Sequence, residues 1–244
     1  MQKFRKPLDC GCTVSTVGQL VRLPDHLCQR FLTGLAEAQL NSILSRAKHR
    51  RFAASSVIVH QGDPAERVFL LTSGHGRHFV ITPKGKKISL HWLTSGQLFG
   101  GAALLVNHIP YLASTELLSN GCALMWDRKT IRDLVRDCPE LLDNALAIAV
   151  TEHLAWILAS HVSLTSDNAT GRVAQFLLSL ASGVGVVNRH GIELQIKNED
   201  LAAGASVTPF TASRVLGRWQ RAGVLTKGRG KLLLQKPELL SVTR

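Results

Sequence analysis

Between residues 52 and 127, short apolar and β-branched runs recur at intervals of about ten residues, at 57–59, 68–72, 78–81, 88–93, 112–117 and 122–126. Turn signals separate them: Gln61-Gly62-Asp63, Ser73-Gly74, Pro83-Lys84-Gly85, Ser95-Gly96 and Asn120-Gly121. No helix-period segment is interleaved. The pattern predicts an all-β roll or barrel, not a parallel α/β sheet.

Helical spacing frames this region. Leu35, Leu40, Ile43, Leu44 and Ala47 predict an amphipathic helix over 35–51 that ends in the basic run Lys48-His49-Arg50-Arg51. Asp127 offers an N-cap to a short helix carrying Ile131, Leu134 and Val135, stopped near Pro139. Residues 140–164 then contain neither Gly nor Pro, and Val150, Leu154, Ile157, His161 and Leu164 step by four and three, as in a coiled coil. About 25 residues at ~1.5 Å each make roughly 37 Å of helix. A single apolar seam on so long a helix is best buried against a second copy, so these five residues are the expected dimer interface.

The C-terminal third reads differently again. Val173, Phe176, Leu177 and Leu180 share one face of a helix over 172–181, followed by a Gly-rich loop at 183–191 and a β-like run at 192–196. A short helix from Glu199 to Ala203 turns Leu201 and Ala202 inward, and Gly204-Ala205-Ser206-Val207 makes the turn into a second helix. That helix opens with Thr208 as N-cap and Pro209 at the first helical position, where the missing N–H is no loss. Its inner face is Ala212, Val215, Leu216 and Trp219; its outer face is Phe210, Thr211, Ser213, Arg214, Arg218 and Arg221. Lys227-Gly228-Arg229-Gly230-Lys231 then forms a basic hairpin wing.

Charge reinforces this picture. The chain has 244 residues, 29 Lys plus Arg against 17 Asp plus Glu, and a formal net charge of +12. From Ser206 onward eight Lys or Arg face Glu238 alone, a net +7. A winged helix-turn-helix with a cationic outer face suits the major groove of duplex DNA. Arg214 is the expected reader of a guanine edge, Ser213 and Thr211 add base or phosphate contacts, and Phe210 meets a thymine methyl. Arg218, Arg221, Lys227, Arg229 and Lys231 are expected on phosphates.

Length and the 45% hydrophobic fraction provide for more than one core. The expected organisation is a flexible tail over 1–20, a β-roll over 21–138, a dimerisation helix over 139–166 and the winged helix-turn-helix over 167–244, an α+β protein in all. No run of 18 uncharged apolar residues occurs, and the basic start leads into Pro7, Asp9 and Cys10 and not an apolar signal core, so a soluble cytoplasmic chain without a membrane role is expected. Five scattered cysteines argue against a disulfide framework. Phosphate-loop, nucleophile-elbow and paired-histidine metal motifs are absent, so catalysis is not expected.

Gly62-Asp63, the 69–74 run Phe-Leu-Leu-Thr-Ser-Gly, the 96–101 run Gly-Gln-Leu-Phe-Gly-Gly and residues 208–218, in this order around a long helix, resemble the CRP/FNR family of bacterial transcriptional regulators. The resemblance spans about residues 35–240. It implies a homodimer on a roughly two-fold symmetric DNA operator, RNA polymerase as a partner, and a small effector bound at Phe99, Gly100, Gly101, Ala102 and Tyr111. Where cyclic-nucleotide-binding members carry a Glu for the ribose and an Arg for the phosphate, this chain has Gly101 and Tyr111, or its neighbour Pro110. An anionic phosphate would lack its cation, so tight cyclic AMP binding is not expected.

FNR-like members hold an iron–sulfur cluster on cysteines. Cys10, Cys12, Cys28 and Cys122 match that count but not the usual spacing, and free thiols with Cys122 in the core are the alternative. Haem is a further alternative, with His75, His78 and His91 on or beside roll strands, although most of ten scattered histidines are ordinarily solvated or hydrogen-bonded. A roll serving as a regulatory subunit without DNA binding is the rival of another class, and it leaves the basic wing without a purpose.

Overall fold

The computed structural model describes residues 15–17, 20–22, 30–166 and 168–240. They form two compact units, one running through Leu154 and the other from Ala155.

The first unit is built on two four-stranded antiparallel sheets. In chain order its elements begin with β1 (Ser15–Val17), β2 (Leu20–Arg22), α1 (Glu37–Ser45), β3 (Lys48–Phe52), β4 (Val57–Val59) and β5 (Arg67–Ser73). There follow β6 (Gly76–Ile81), β7 (Lys87–Leu93), β8 (Leu98–Phe99), β9 (Ser114–Leu117), β10 (Gly121–Asp127) and α2 (Arg128–Asp137). One sheet has the order β3-β10-β5-β8, the other β4-β9-β6-β7. β5 is buried from Val68 to Thr72 without alternation, which is the signature of a strand covered on both faces. The core continues into the helices: Trp126 stands edge-on to Phe31 at 6.3 Å, and its indole N–H donates to the Ile43 carbonyl at 2.9 Å.

Each expected roll strand is present within two residues of its expected bounds. Two expectations upstream are corrected. The helix over 35–51 ends at Ser45, and Lys48–Phe52 is instead an edge strand paired with β10 from Met125 to Gly121. Four consecutive charged or polar side chains offer no apolar stripe to a helix, whereas exposed cations on an edge strand deter further pairing. The tail over 1–20 is not wholly unstructured, because Ser15–Val17 pairs antiparallel with Leu20–Arg22.

The expected 25-residue helix is helical throughout, but not α-helical throughout. α3 (Glu140–Ile148) passes into a π-helical turn (Ala149–Leu154) and then α4 (Ala155–Ser166). The Thr151 hydroxyl bonds back to the Ala147 carbonyl at 2.7 Å, a contact that loosens an α-helical ladder. By length and composition alone the stretch Glu140–Val162 is apolar enough to cross a membrane.

The second unit has its own core. After α4 come α5 (Ala169–Val184), β11 (Val186–Asn188), β12 (Gly191–Gln195), α6 (Asn198–Gly204), α7 (Pro209–Arg221), β13 (Leu225–Gly228) and β14 (Lys231–Leu234). The sheet order is β11-β12-β14-β13. Val173, Leu177 and Leu180 of α5 are buried, as are Leu201 and Ala202 of α6 and Leu232 and Leu234 of β14. The expected loop over 183–191 is a correction. α5 runs to Val184, and 186–188 form a strand against β12.

Candidate functional site

The helix-turn-helix is held from its residues outward. The Thr208 hydroxyl accepts the Thr211 amide at 3.1 Å, capping α7, and Pro209 occupies the first turn. Asn198 of α6 donates to the Pro209 carbonyl at 3.1 Å, tying the starts of the two helices together. At Gly204 an added Cβ would lie 2.0 Å from the Phe176 ring, so only glycine lets α6 approach α5 this closely. Ser206 adopts φ 52° in the turn that follows. Ala212, Val215, Leu216 and Trp219 are buried as the spacing requires.

The opposite face is free for a partner. Phe210 is 77% exposed. Ser213, Arg214, Arg218 and Arg221 are exposed beside it, Thr208 is exposed, and Thr211 is half-buried. The wing brings exposed Lys227, Arg229 and Lys231 together at a tight turn where Gly228 pairs with Lys231. These cations are not equivalent. Arg218 donates to the Thr170 hydroxyl at 2.6 Å, and Lys231 lies 3.4 Å from Glu193. Among the described residues no side-chain hydrogen bond or ion pair engages Arg214, Arg221, Lys227 or Arg229.

In the roll, Phe99, Gly100 and Tyr111 come together around the backbone of Arg67. Phe99 stacks on Phe69 at 4.8 Å. Gly100 has φ 76°, and a Cβ there would lie 2.6 Å from the Arg67 carbonyl oxygen. The Tyr111 hydroxyl accepts the Arg67 amide at 3.0 Å and donates to the Arg67 carbonyl at 2.8 Å, and burial pushes its phenol above the ordinary value. Gly101 and Ala102 lie on a 3-10 turn (Gly101–Leu104), whose carbonyls and those just beyond are gathered by Arg128 and Arg132. Gly101 is exposed with open space around its α-carbon.

The imidazoles are arranged differently from the expectation. His78 and His91 stack at 6.4 Å, and the third ring beside them is His153 of the π-helical turn, at 6.3 and 5.7 Å. His75 instead stacks on Trp92. Cys122 is buried in β10, while Cys10, Cys12 and Cys28 lie outside the described residues. Among the described residues no three His, Cys, Asp or Glu are placed to hold a metal ion. Val150, Leu154 and Ile157 are exposed, as is His161, and the side chain of Leu164 lies outside what the structure describes.

Comparison with known proteins follows this division. Residues 49–138 match the cyclic nucleotide-binding domain family and residues 171–242 the Crp-like helix-turn-helix domain family. The cyclic AMP receptor protein of Thermus thermophilus is 30% identical over 208 residues, covering 85% of this chain and 93% of that protein. This chain belongs to the CRP/FNR family of transcriptional regulators. The anaerobic regulatory protein of Bacillus subtilis, 25% identical over 78% of the chain and 81% of its own length, is a further relative. A solved structure of the c-di-GMP responsive global regulator CLP of Xanthomonas campestris shares the fold, with a TM-score of 0.71 over 82% of this chain and 99% of that one at 18% identity.

As a CRP/FNR regulator the chain carries a helix-turn-helix whose capped second helix and wing were evident from sequence. Three structural features were not. Arg128, buried in α2, holds the 3-10 turn through carbonyls, and an Arg beside an Asp N-cap gives no such signal in sequence. Asp127 itself makes no side-chain cap; its carboxylate pairs with Lys48 at 2.6 Å and lies 3.7 Å from Arg67. His153 was read only as part of a helix, and its neighbours are more than 60 residues away in sequence.

Proposed function

We propose that this CRP/FNR regulator works as a homodimer that binds a two-fold symmetric duplex operator through α7 and the wing, under control of an effector other than cyclic AMP. The observation that carries the reading is the capped helix α7 with its buried face of Ala212, Val215, Leu216 and Trp219 behind an exposed Arg214. Arg214 is the base reader, through its fork to guanine O6 and N7. Phe210 meets a thymine methyl, while Thr211 and Ser213 add base or phosphate contacts. Arg218, Arg221, Lys227, Arg229 and Lys231 are the phosphate contacts, with Arg221, Lys227 and Arg229 the most available.

The subunit seam is the apolar face of 139–166, with Val150, Leu154, Ile157, His161 and Leu164 as its residues. Leu146, Leu158 and Val162, also exposed, extend it. A membrane role for this helix is disfavoured by Glu152 in its midst, hydrogen-bonded to Arg30 at 2.8 Å and Gln97 at 3.1 Å. The working organisation is therefore a sensor over 21–138, the seam over 139–166 and the DNA reader over 167–244, in a cytoplasmic protein without catalytic activity that acts on RNA polymerase. Against cyclic AMP stand Gly101 and Tyr111, the latter already bonded to Arg67 through its hydroxyl.

Enrichment of duplexes from a random pool by the full-length protein tests this reading. A recovered two-fold symmetric site whose affinity falls with salt supports it; a chain that retains no duplex at low salt refutes it.

A further inference from the structure

The three imidazoles of the first unit are brought from three separate elements onto one spot. His78 comes from β6, His91 from β7 and His153 from the π-helical turn, with ring centroids 5.7 to 6.4 Å apart. The edge of the cluster is closed by Phe99, 6.4 Å from His78, and by Thr115, whose hydroxyl lies 2.9 Å from His78 Nδ1. Three cations cannot share this space without strong mutual repulsion.

The surrounding charges give little relief. From the turn itself, Glu152 faces the cluster, but it is bonded to Arg30 and Gln97. Arg30 adds positive charge near His91. On the neighbouring strands Arg77 and Lys87 both close on Glu116, each at 2.6 Å, so that carboxylate is engaged as well.

We propose that His78, His91 and His153 form a proton-operated latch, which while neutral holds the 149–154 turn against the roll and on protonation lets it go. Burial, then the neighbouring rings His91 and His153, hold His78 down to about 3. Burial, then His153 and Arg30, hold His91 down to about 4. His153 is lowered by burial, against the opposing pull of Glu152. A histidine freed from the cluster returns toward the ordinary 6.5. The closed state is therefore fully favoured above that value and loses ground as pH falls from there toward 3 or 4. At about pH 5.5 each released imidazole favours opening roughly tenfold, and two favour it roughly a hundredfold.

The turn lies within the proposed subunit seam, so the regulatory meaning of the latch rests on that reading: acid would loosen the seam and with it the pairing of the DNA-reading helices. The latch itself is measured without DNA. In the full-length protein, amide hydrogen exchange over 146–153, corrected for the intrinsic chemical rate, should lose roughly a hundredfold protection between about pH 8 and about pH 5.5. The His78→Gln/His91→Gln double variant should lose less than about tenfold over the same range. Unchanged protection in the unsubstituted protein, or an equal loss in the variant, overturns the latch. If the variant does not fold, histidine Cε1–H titration of the unsubstituted protein decides, since two rings must titrate far below the others and a uniform set near the ordinary value overturns the proposal. Failure to bind duplex at about pH 8, with these titrations as expected, would sink the DNA-binding reading and leave the latch standing.

Discussion

In the proposed reading, Arg214 and the wing residues carry the same charge but do different work, and substitution separates them. Arg214→Ala should cost about 1–3 kcal/mol on the preferred operator and flatten discrimination at one base pair, as read by competition among operator variants. Lys227→Ala and Arg229→Ala should weaken all duplexes alike and reduce the slope of log affinity against log salt by about one. Phe210→Ala should abolish any preference for thymine over uracil at the contacted step, because the two bases differ only in the methyl group. These outer-face side chains were legible in sequence because the Thr208 cap and Pro209 fix where the helix begins, and the apolar spacing then fixes which side faces out. Residues that act through tertiary contacts were not legible. Nothing local in the sequence marks Arg128 as a holder of the 3-10 turn, Glu116 as the partner of two cations, or Tyr111 as bonded to the Arg67 backbone.

At the scale of elements, β9, β6 and β7 share the Arg77–Glu116–Lys87 cluster, with Glu116 only 7% exposed. Burial alone would raise this carboxyl, but hydrogen bonds from Lys87 and Arg77 outweigh it and hold it below its ordinary 4.5. Glu116→Gln should therefore destabilise the roll at neutral pH, by about 1–3 kcal/mol in denaturant melts. The difference from the unsubstituted protein should shrink as pH falls below the ordinary carboxylate value and through the lower folded one. The long helix makes a contrasting case. Val150 and Leu154 leave apolar surface exposed on a single chain, so Leu154→Glu should shift sedimentation from dimer to monomer and take duplex affinity with it. Roll strands were legible because glycine turns punctuate them at regular intervals. The edge strand Lys48–Phe52 and the π-helical turn were not, since each depends on a distant partner: β10 for the strand, and Arg30, Gln97 and His91 for the turn.

Across the whole molecule, charge and family membership point the same way. A net +7 lies in the 39 residues from Ser206 to Arg244, out of +12 for the chain, and that stretch holds both the reading helix and the wing. The roll is less specified by its sequence, because in the proposed reading Gly101 and Tyr111 stand where a polar pair would have named the ligand. The DNA-reading end makes the claim on which the rest depends. The most direct test is the affinity of the purified full-length protein for a two-fold symmetric duplex selected from a random pool, followed from about 50 to about 200 mM salt and compared with a scrambled duplex. Tight binding to half-sites about one helical turn apart, falling steeply with salt and lost on scrambling, is the expected result. No duplex binding at the lower salt, or equal binding to the scrambled duplex under every condition, would contradict it.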